Sequence, residues 1–121
     1  MKHVGGYNIH HLTWPRANYK NSVERAYRNH PALQVITDVS IHNDLHAEMD
    51  APLKPTKNQM LGAIALLNNL DYRHNQLGAL DVLAWHYREQ DDNQTRHIGK
   101  HLHHQLDKYL NEGIYRGENT A

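Results

Sequence analysis

The pattern of apolar and polar positions divides the chain near residue 55. Beyond that point apolar residues recur at helical spacing. Met60, Leu61, Ile64, Ala65 and Leu67 form a first stripe. Thr56 and Gln59 are spaced as a capping box, in which each side chain serves the other residue's backbone N–H. A helix is predicted from there through about Leu70, closed by Asn68, Asn69 and Asp71. Leu77, Leu80, Leu83, Ala84 and Tyr87 predict a second helix from about Gln76 to Glu89. Ile98, Leu102, Leu106, Tyr109 and Leu110 predict a third from about Asn93 to Asn111, ended by Gly113. Three amphipathic helices with short turns suggest a small antiparallel bundle or a set of helices that dimerise.

The first half is patterned differently. Tyr7 to Leu12 is a short extended segment after Gly5-Gly6. Asn21 with Glu24 caps a short helix through about Arg28, which Pro31 ends. Leu33-Gln34-Val35-Ile36-Thr37 is rich in β-branched residues and reads as a strand. Asp38 suits the N-cap of a helix from Val39 to about Glu48. Between the halves, Asp50-Ala51-Pro52-Leu53-Lys54-Pro55 holds two prolines that disfavour helix on both sides. The expected organisation is α+β: a module over 1–50, a linker over 51–56, and a helical segment over 57–121. That segment either packs on the module or mediates oligomerisation.

Composition narrows the classes. At 121 residues the chain suits one compact domain or two tightly packed small modules. It has no Phe, so the core leans on Leu, Ile, Val, seven Tyr and two Trp. It has no Cys, which excludes disulfide frameworks, thiolate zinc sites and Cys nucleophiles. No apolar run approaches a membrane span, and the N-terminal residues lack a signal-peptide stretch, so a cytoplasmic location is expected. Lys plus Arg equals Asp plus Glu at 13 each, which argues against a globally basic nucleic-acid coat. The charge is nevertheless uneven. In the first 40 residues Lys2, Arg16, Lys20, Arg25 and Arg28 face only Glu24 and Asp38.

Histidine is the outlier, at 12 residues. Imidazole is the commonest metal ligand and the natural acid–base group near neutral pH. His42 and His46, four apart on the predicted Val39–Glu48 helix, share one face about one turn apart. That geometry lets two imidazoles bind one metal. A third from a neighbouring strand would complete a three-nitrogen site with an open position. His10 and His11 close the first extended segment, and adjacent strand residues point to opposite faces. One of them would bind the metal, leaving the other as a base. The spacing is not distinctive by itself, since His97 and His101 repeat it. The order of elements adds the information: strand, His-His, strand, cap, His-x-x-x-His.

In Ile9-His10-His11-Leu12 and Leu33 through Ala47 the sequence resembles the HNH, or ββα-metal, nuclease family in its all-His, colicin-type form. It is also similar to small HNH-like proteins of actinobacteria and their phages. The resemblance covers roughly residues 7–48. It implies a short two-stranded ββα-metal motif, here followed by a helical bundle of about three helices. By motif position it implies His10, His42 and His46 as metal ligands and His11 as general base. The family's middle Asn, nine residues before the first helix His, is replaced by Leu33; Asn29 is the nearest alternative. That Asn pins the loop orienting the base, so its loss bears on catalytic alignment.

The implied chemistry is metal-dependent hydrolysis of DNA phosphodiester bonds. An imidazole site favours Zn²⁺, with Ni²⁺, Co²⁺ or Mn²⁺ as other candidates, over Mg²⁺. Arg16, Lys20, Arg25 and Arg28 are candidates for DNA phosphate contacts, or else a solvated helix face. Trp14 either stacks on a base or covers the core. His97, His101 and His104 line one flank of the third predicted helix, as a second metal cluster or a solvated polar flank, with a homodimer through the helical half as the setting for such a cluster. Two other classes stay open. One is an inactive HNH-like module whose structural metal supports binding to a protein or nucleic acid, with His3, His30 or Asp44 as fourth ligand. The other is a metal-free helical interaction protein with pH-sensitive surface histidines.

Overall fold

The computed structural model describes residues 7–12, 20–38 and 54–111. The predicted Val39–Glu48 helix, with His42 and His46, lies outside the described residues, as do Trp14 and Arg16. Strand β1 (Tyr7–His11) pairs antiparallel with β2 (Gln34–Asp38), and helices follow, so the fold is α+β. Helix α1 (Ser22–Arg28) and a 3-10 turn (Pro31–Leu33) lie between the strands; α2 (Lys57–Asn68), α3 (Gln76–Arg88) and α4 (Asn93–Asn111) come after them.

The caps form where side-chain chemistry supplies them. Asn21 accepts from the Glu24 N–H at 3.0 Å and starts α1. Thr56 and Gln59 complete the reciprocal capping box of α2, at 3.1 and 2.8 Å. Asn75 accepts from the Gly78 N–H and starts α3. Leu33 departs from the strand expected over Leu33–Thr37 and sits in the 3-10 turn. Pro31 supplies a helical φ there, and the His30 imidazole accepts the Ala32 N–H at 3.1 Å.

The hairpin register places His10 opposite Val35 and Ile9 opposite Ile36. Because side chains alternate across a strand, His10, Val35 and Thr37 are buried on the inner side, and Leu12 and Leu33 at the strand ends are buried with them. Ile9 and Ile36 stand on the outer face, 56% and 46% exposed. One continuous core joins the hairpin, α1 and the three later helices. Its largest members include Tyr27, Tyr87 and Tyr109, which supply aromatic bulk in a chain without Phe. The buried hydroxyls are partnered. Tyr27 and Tyr87 pair at 3.2 Å, tying α1 to α3. Tyr109 donates to the Ile36 carbonyl at 2.9 Å, tying α4 to β2.

Polar side chains make the remaining joints. His30 is buried; besides the Ala32 N–H it contacts Asn68 Oδ1 through Nε2 at 2.8 Å. Both ring nitrogens are thereby committed to the fold, so His30 is a structural residue rather than a fourth zinc ligand. Gln76 donates to the Ala32 and Gln34 carbonyls, fastening the start of α3 to the hairpin. Glu24 accepts from the Lys20 N–H at 2.8 Å and pairs with Lys54 at 3.1 Å. The Lys20 hydrogen bond, then the Lys54 ammonium, hold its carboxyl below the ordinary carboxylate value.

Helices α3 and α4 meet at Gly99. A Cβ there would lie 2.5 Å from the Ala84 carbonyl oxygen and 2.8 Å from the Arg88 nitrogen, both backbone atoms. At Gly62, on α2, an added Cβ would meet nothing within 4 Å. The two glycines therefore respond oppositely to alanine. Gly62→Ala should gain up to about 1 kcal/mol from helix propensity. Gly99→Ala should lose up to about 2 kcal/mol net, because the added Cβ meets backbone that cannot give way and overpacking costs about 1–3 kcal/mol against a propensity gain of about 1. Chemical denaturation of the pair measures both signs. Glu24→Gln should lower the melting temperature at pH 7. A depressed carboxyl contributes stability above its unfolded value of 4.5 that is lost as pH falls through its folded value. The difference between wild type and Glu24→Gln should therefore fade as the medium is acidified below that range.

Candidate active site

Strand alternation separates the two adjacent histidines. His10 is fully buried, at 0% exposure, and its Nε2 lies 3.3 Å from Gln105 Oε1 on α4. The other end of the same amide faces α4's own His101, with Gln105 Nε2 3.3 Å from His101 Nε2. Gln105 is itself fully buried.

His11 lies on the opposite face and is half-buried. Its Nδ1 is 3.3 Å from Arg28 Nη2. A guanidinium only donates, so Nδ1 accepts, and the neutral ring carries its proton on Nε2. Arg28 is delivered by the last turn of α1, whose neighbouring Tyr27 is anchored in the core. Its second arm, Nη1, donates to Asn29 Oδ1 at 3.0 Å. Asn29 in turn accepts from Gln34 Nε2 at its carbonyl, 2.7 Å away. Gln34 is the cross-strand neighbour of His11. The loop between helix and strand thus holds the cation that touches His11.

The sequence-derived candidates separate on this frame. Among the described phosphate-contact candidates, Arg28 reaches His11. Arg25 folds back to donate to the Lys20 carbonyl at 3.0 Å, and Lys20 is exposed at the entrance to α1. Leu33, where the HNH resemblance leads one to expect Asn, is 0% exposed. Its carbonyl accepts from the Leu12 N–H and its N–H donates to the His30 carbonyl, each at 2.9 Å. The position serves the hairpin through packing and backbone bonds. The side-chain hydrogen bonds near His11 come instead from Arg28 and Asn29. Antiparallel pairing sets Asp38 opposite Tyr7, so the chain leaves β2 three residues along the strand from His10.

On α4, His97 and His104 are exposed, whereas His101 is half-buried against Gln105. No three His, Asp or Glu side chains among the described residues are grouped so as to hold a metal ion. His103 faces α3 instead. Its Nε2 donates to Asp81 at 2.8 Å, and its Nδ1 accepts from Arg88 at 2.7 Å. Trp85 meets the His103 ring edge-on and carries the Arg88 guanidinium 4.5 Å over its own ring.

Gln105 is absent from the sequence-derived candidates, although the sequence carries a signal for it. It falls three residues after Leu102 and four before Tyr109, a polar residue on the apolar stripe. Buried polar side chains at such positions need specific partners, and His10 and His101 are two of them. The Asp81–His103–Arg88 network carries no comparable signal, because its members come from two helices whose contact the sequence does not specify.

Among the described residues no helix is long and apolar enough to cross a membrane. The chain matches no protein-family model, no curated protein and no solved structure.

Proposed function

We propose that this chain is a metal-dependent HNH-type endonuclease that hydrolyses DNA phosphodiester bonds. The observation that carries the reading is the His10–His11 pair on an antiparallel hairpin, one imidazole buried and the other beside Arg28. A metal ligand needs a fixed, oriented ring, and His10 has one. A base needs access to substrate and a nearby charge to hold the phosphate, and His11 with Arg28 supplies both. His10, His42 and His46 would hold the ion, Zn²⁺ before Ni²⁺, Co²⁺ or Mn²⁺. A divalent ion bound there supplies positive charge for the scissile phosphate and the leaving oxygen.

The remaining work belongs to the chain. Arg28 binds a non-bridging phosphate oxygen, exchanging its hydrogen bond to His11 for one to the substrate. That exchange turns His11 Nδ1, the lone-pair nitrogen, toward the attacking water, from which it takes a proton. Asn29 keeps Arg28 within reach of both positions. Lys20 and Arg25, with Arg16, add phosphate contacts along the DNA backbone, and such contacts weaken as salt rises.

A second reading is favoured by Leu33, which fills with packing the position where the family carries its loop-pinning Asn. In that reading the hairpin keeps a structural metal and binds a protein or nucleic acid without cutting.

Plasmid nicking by the purified chain with Zn²⁺, Ni²⁺, Mn²⁺ or Mg²⁺ decides between them. Cutting should require a transition metal. His11→Ala should reduce the rate about 10²–10⁴-fold, the usual worth of a general base, with metal binding retained. Arg28→Ala should weaken both substrate binding and rate. Folded, metal-loaded wild-type protein that never cuts would overturn the nuclease and support the binding module.

A further inference from the structure

Helix α3 is apolar on two sides. Its core side carries Leu80, Leu83, Ala84 and Tyr87, all buried. Its opposite side carries Gly78, Val82 and Trp85, at the four-then-three spacing that keeps residues in line along a helix. Val82 and Trp85 are 44% and 46% exposed. Single apolar residues scattered over a surface need no explanation, whereas a patch of them marks a binding site. Here the patch has relief. A hollow of about 370 Å³ lies on the same side, lined by Leu70, Asp71, Asn75, Gly78, Ala79 and Val82. One side of one helix thus presents both a knob, Trp85, and a hole whose edge is Val82, three residues before it.

We propose that this side of α3 binds a second copy of the chain, antiparallel, about a two-fold axis beside Val82. In an isologous pair every contact is repeated in reverse. An axis at position 82 sets position 85 of one copy against position 79 of the other, so each Trp85 enters the hollow of the second copy. Charge identifies the occupant. Arg73, just before α3, and Glu89, just after it, are both exposed. Among the described residues neither side chain takes part in an ion pair, and the Arg73 guanidinium lies 5.2 Å over the Tyr72 ring. The two are centred on position 81, one residue from the axis. The register that seats Trp85 therefore also brings the cation of each copy toward the carboxylate of the other. Trp85 carries Arg88 4.5 Å over its ring, and Asp71 stands on the rim of the hollow. A parallel pair would set like charges together instead. Rim charges of this kind fix register and partner, while the buried indole supplies most of the affinity. The proposal is independent of the nuclease reading. It places self-association on α3 rather than on the flank of α4 that bears His97, His101 and His104.

The test is sedimentation equilibrium of the full chain between about 1 µM and about 1 mM, the range of weak interfaces. The wild type should pass from monomer to dimer. Trp85→Ala should raise the dissociation constant about 30-fold or more, the weight of a central aromatic anchor. Its helical circular dichroism should be unchanged, because Trp85 lies on the side of α3 away from the core. Arg73→Glu and Glu89→Arg should each weaken the dimer, and the two together should restore it. The chain has no Cys, so Val82→Cys places a single thiol at the axis. Mild oxidation should link that variant into a dimer, whereas Lys57→Cys on α2 should stay unlinked. A wild type that is monomeric throughout overturns the proposal, whether or not the variants fold. So does a dimer that is indifferent to Trp85→Ala, that the paired charge reversal does not recover, or that Val82→Cys does not link.

Discussion

A two-stranded hairpin is marginal in water, since one ladder and one half-covered face cannot offset the entropy of ordering the chain. Everything at the candidate site depends on how that hairpin is held. Helix α4 meets it through Gln105 and Tyr109, α3 grips its 3-10 turn and β2 through Gln76, and α2 joins it through Asn68 and His30. Each joint comes from an element that follows the proline-containing segment. The strand bearing His10 and His11 is therefore held by the helical half of the chain.

These joints are polar, and the tyrosine ones follow from a core without Phe. Tyrosine brings aromatic bulk together with a hydroxyl that must find a partner when buried. Tyr27 and Tyr109 meet that demand in ways that set the relation between layers, on Tyr87 and on the Ile36 carbonyl. A hydrophobic contact tolerates sliding, whereas a buried hydrogen bond is lost within about an ångström. Polar joints thus contribute alignment more than raw stability. Alignment is what a site assembled from a strand, a short helix and a distant helix requires.

The histidines illustrate how one residue type is sorted by its surroundings. His30 has both nitrogens engaged in holding the turn, and His103 is clamped between Asp81 and Arg88. His97 and His104 stand at the surface of α4. His10 is buried beside Gln105, and His11 sits beside the Arg28 guanidinium.

Local rules are enough to read most of the elements. Caps and stripes are short-range features, so Asn21, Thr56 and Gln59 mark α1 and α2, and the Leu spacing marks α3 and α4 to within about two residues. The opposite facing of His10 and His11 also follows from strand geometry alone. Leu33 has the local look of a strand residue, but Pro31 and the His30 cap impose a 3-10 turn that β-propensity does not register. Tertiary structure alone decides which imidazole meets Gln105, that Arg28 rather than Lys20 or Arg25 reaches His11, and that His103 faces Asp81. Those pairings join residues 17 to 95 positions apart. Periodicity shows which side of an element is apolar, but the partner of a polar atom is set only when the elements pack and water is removed.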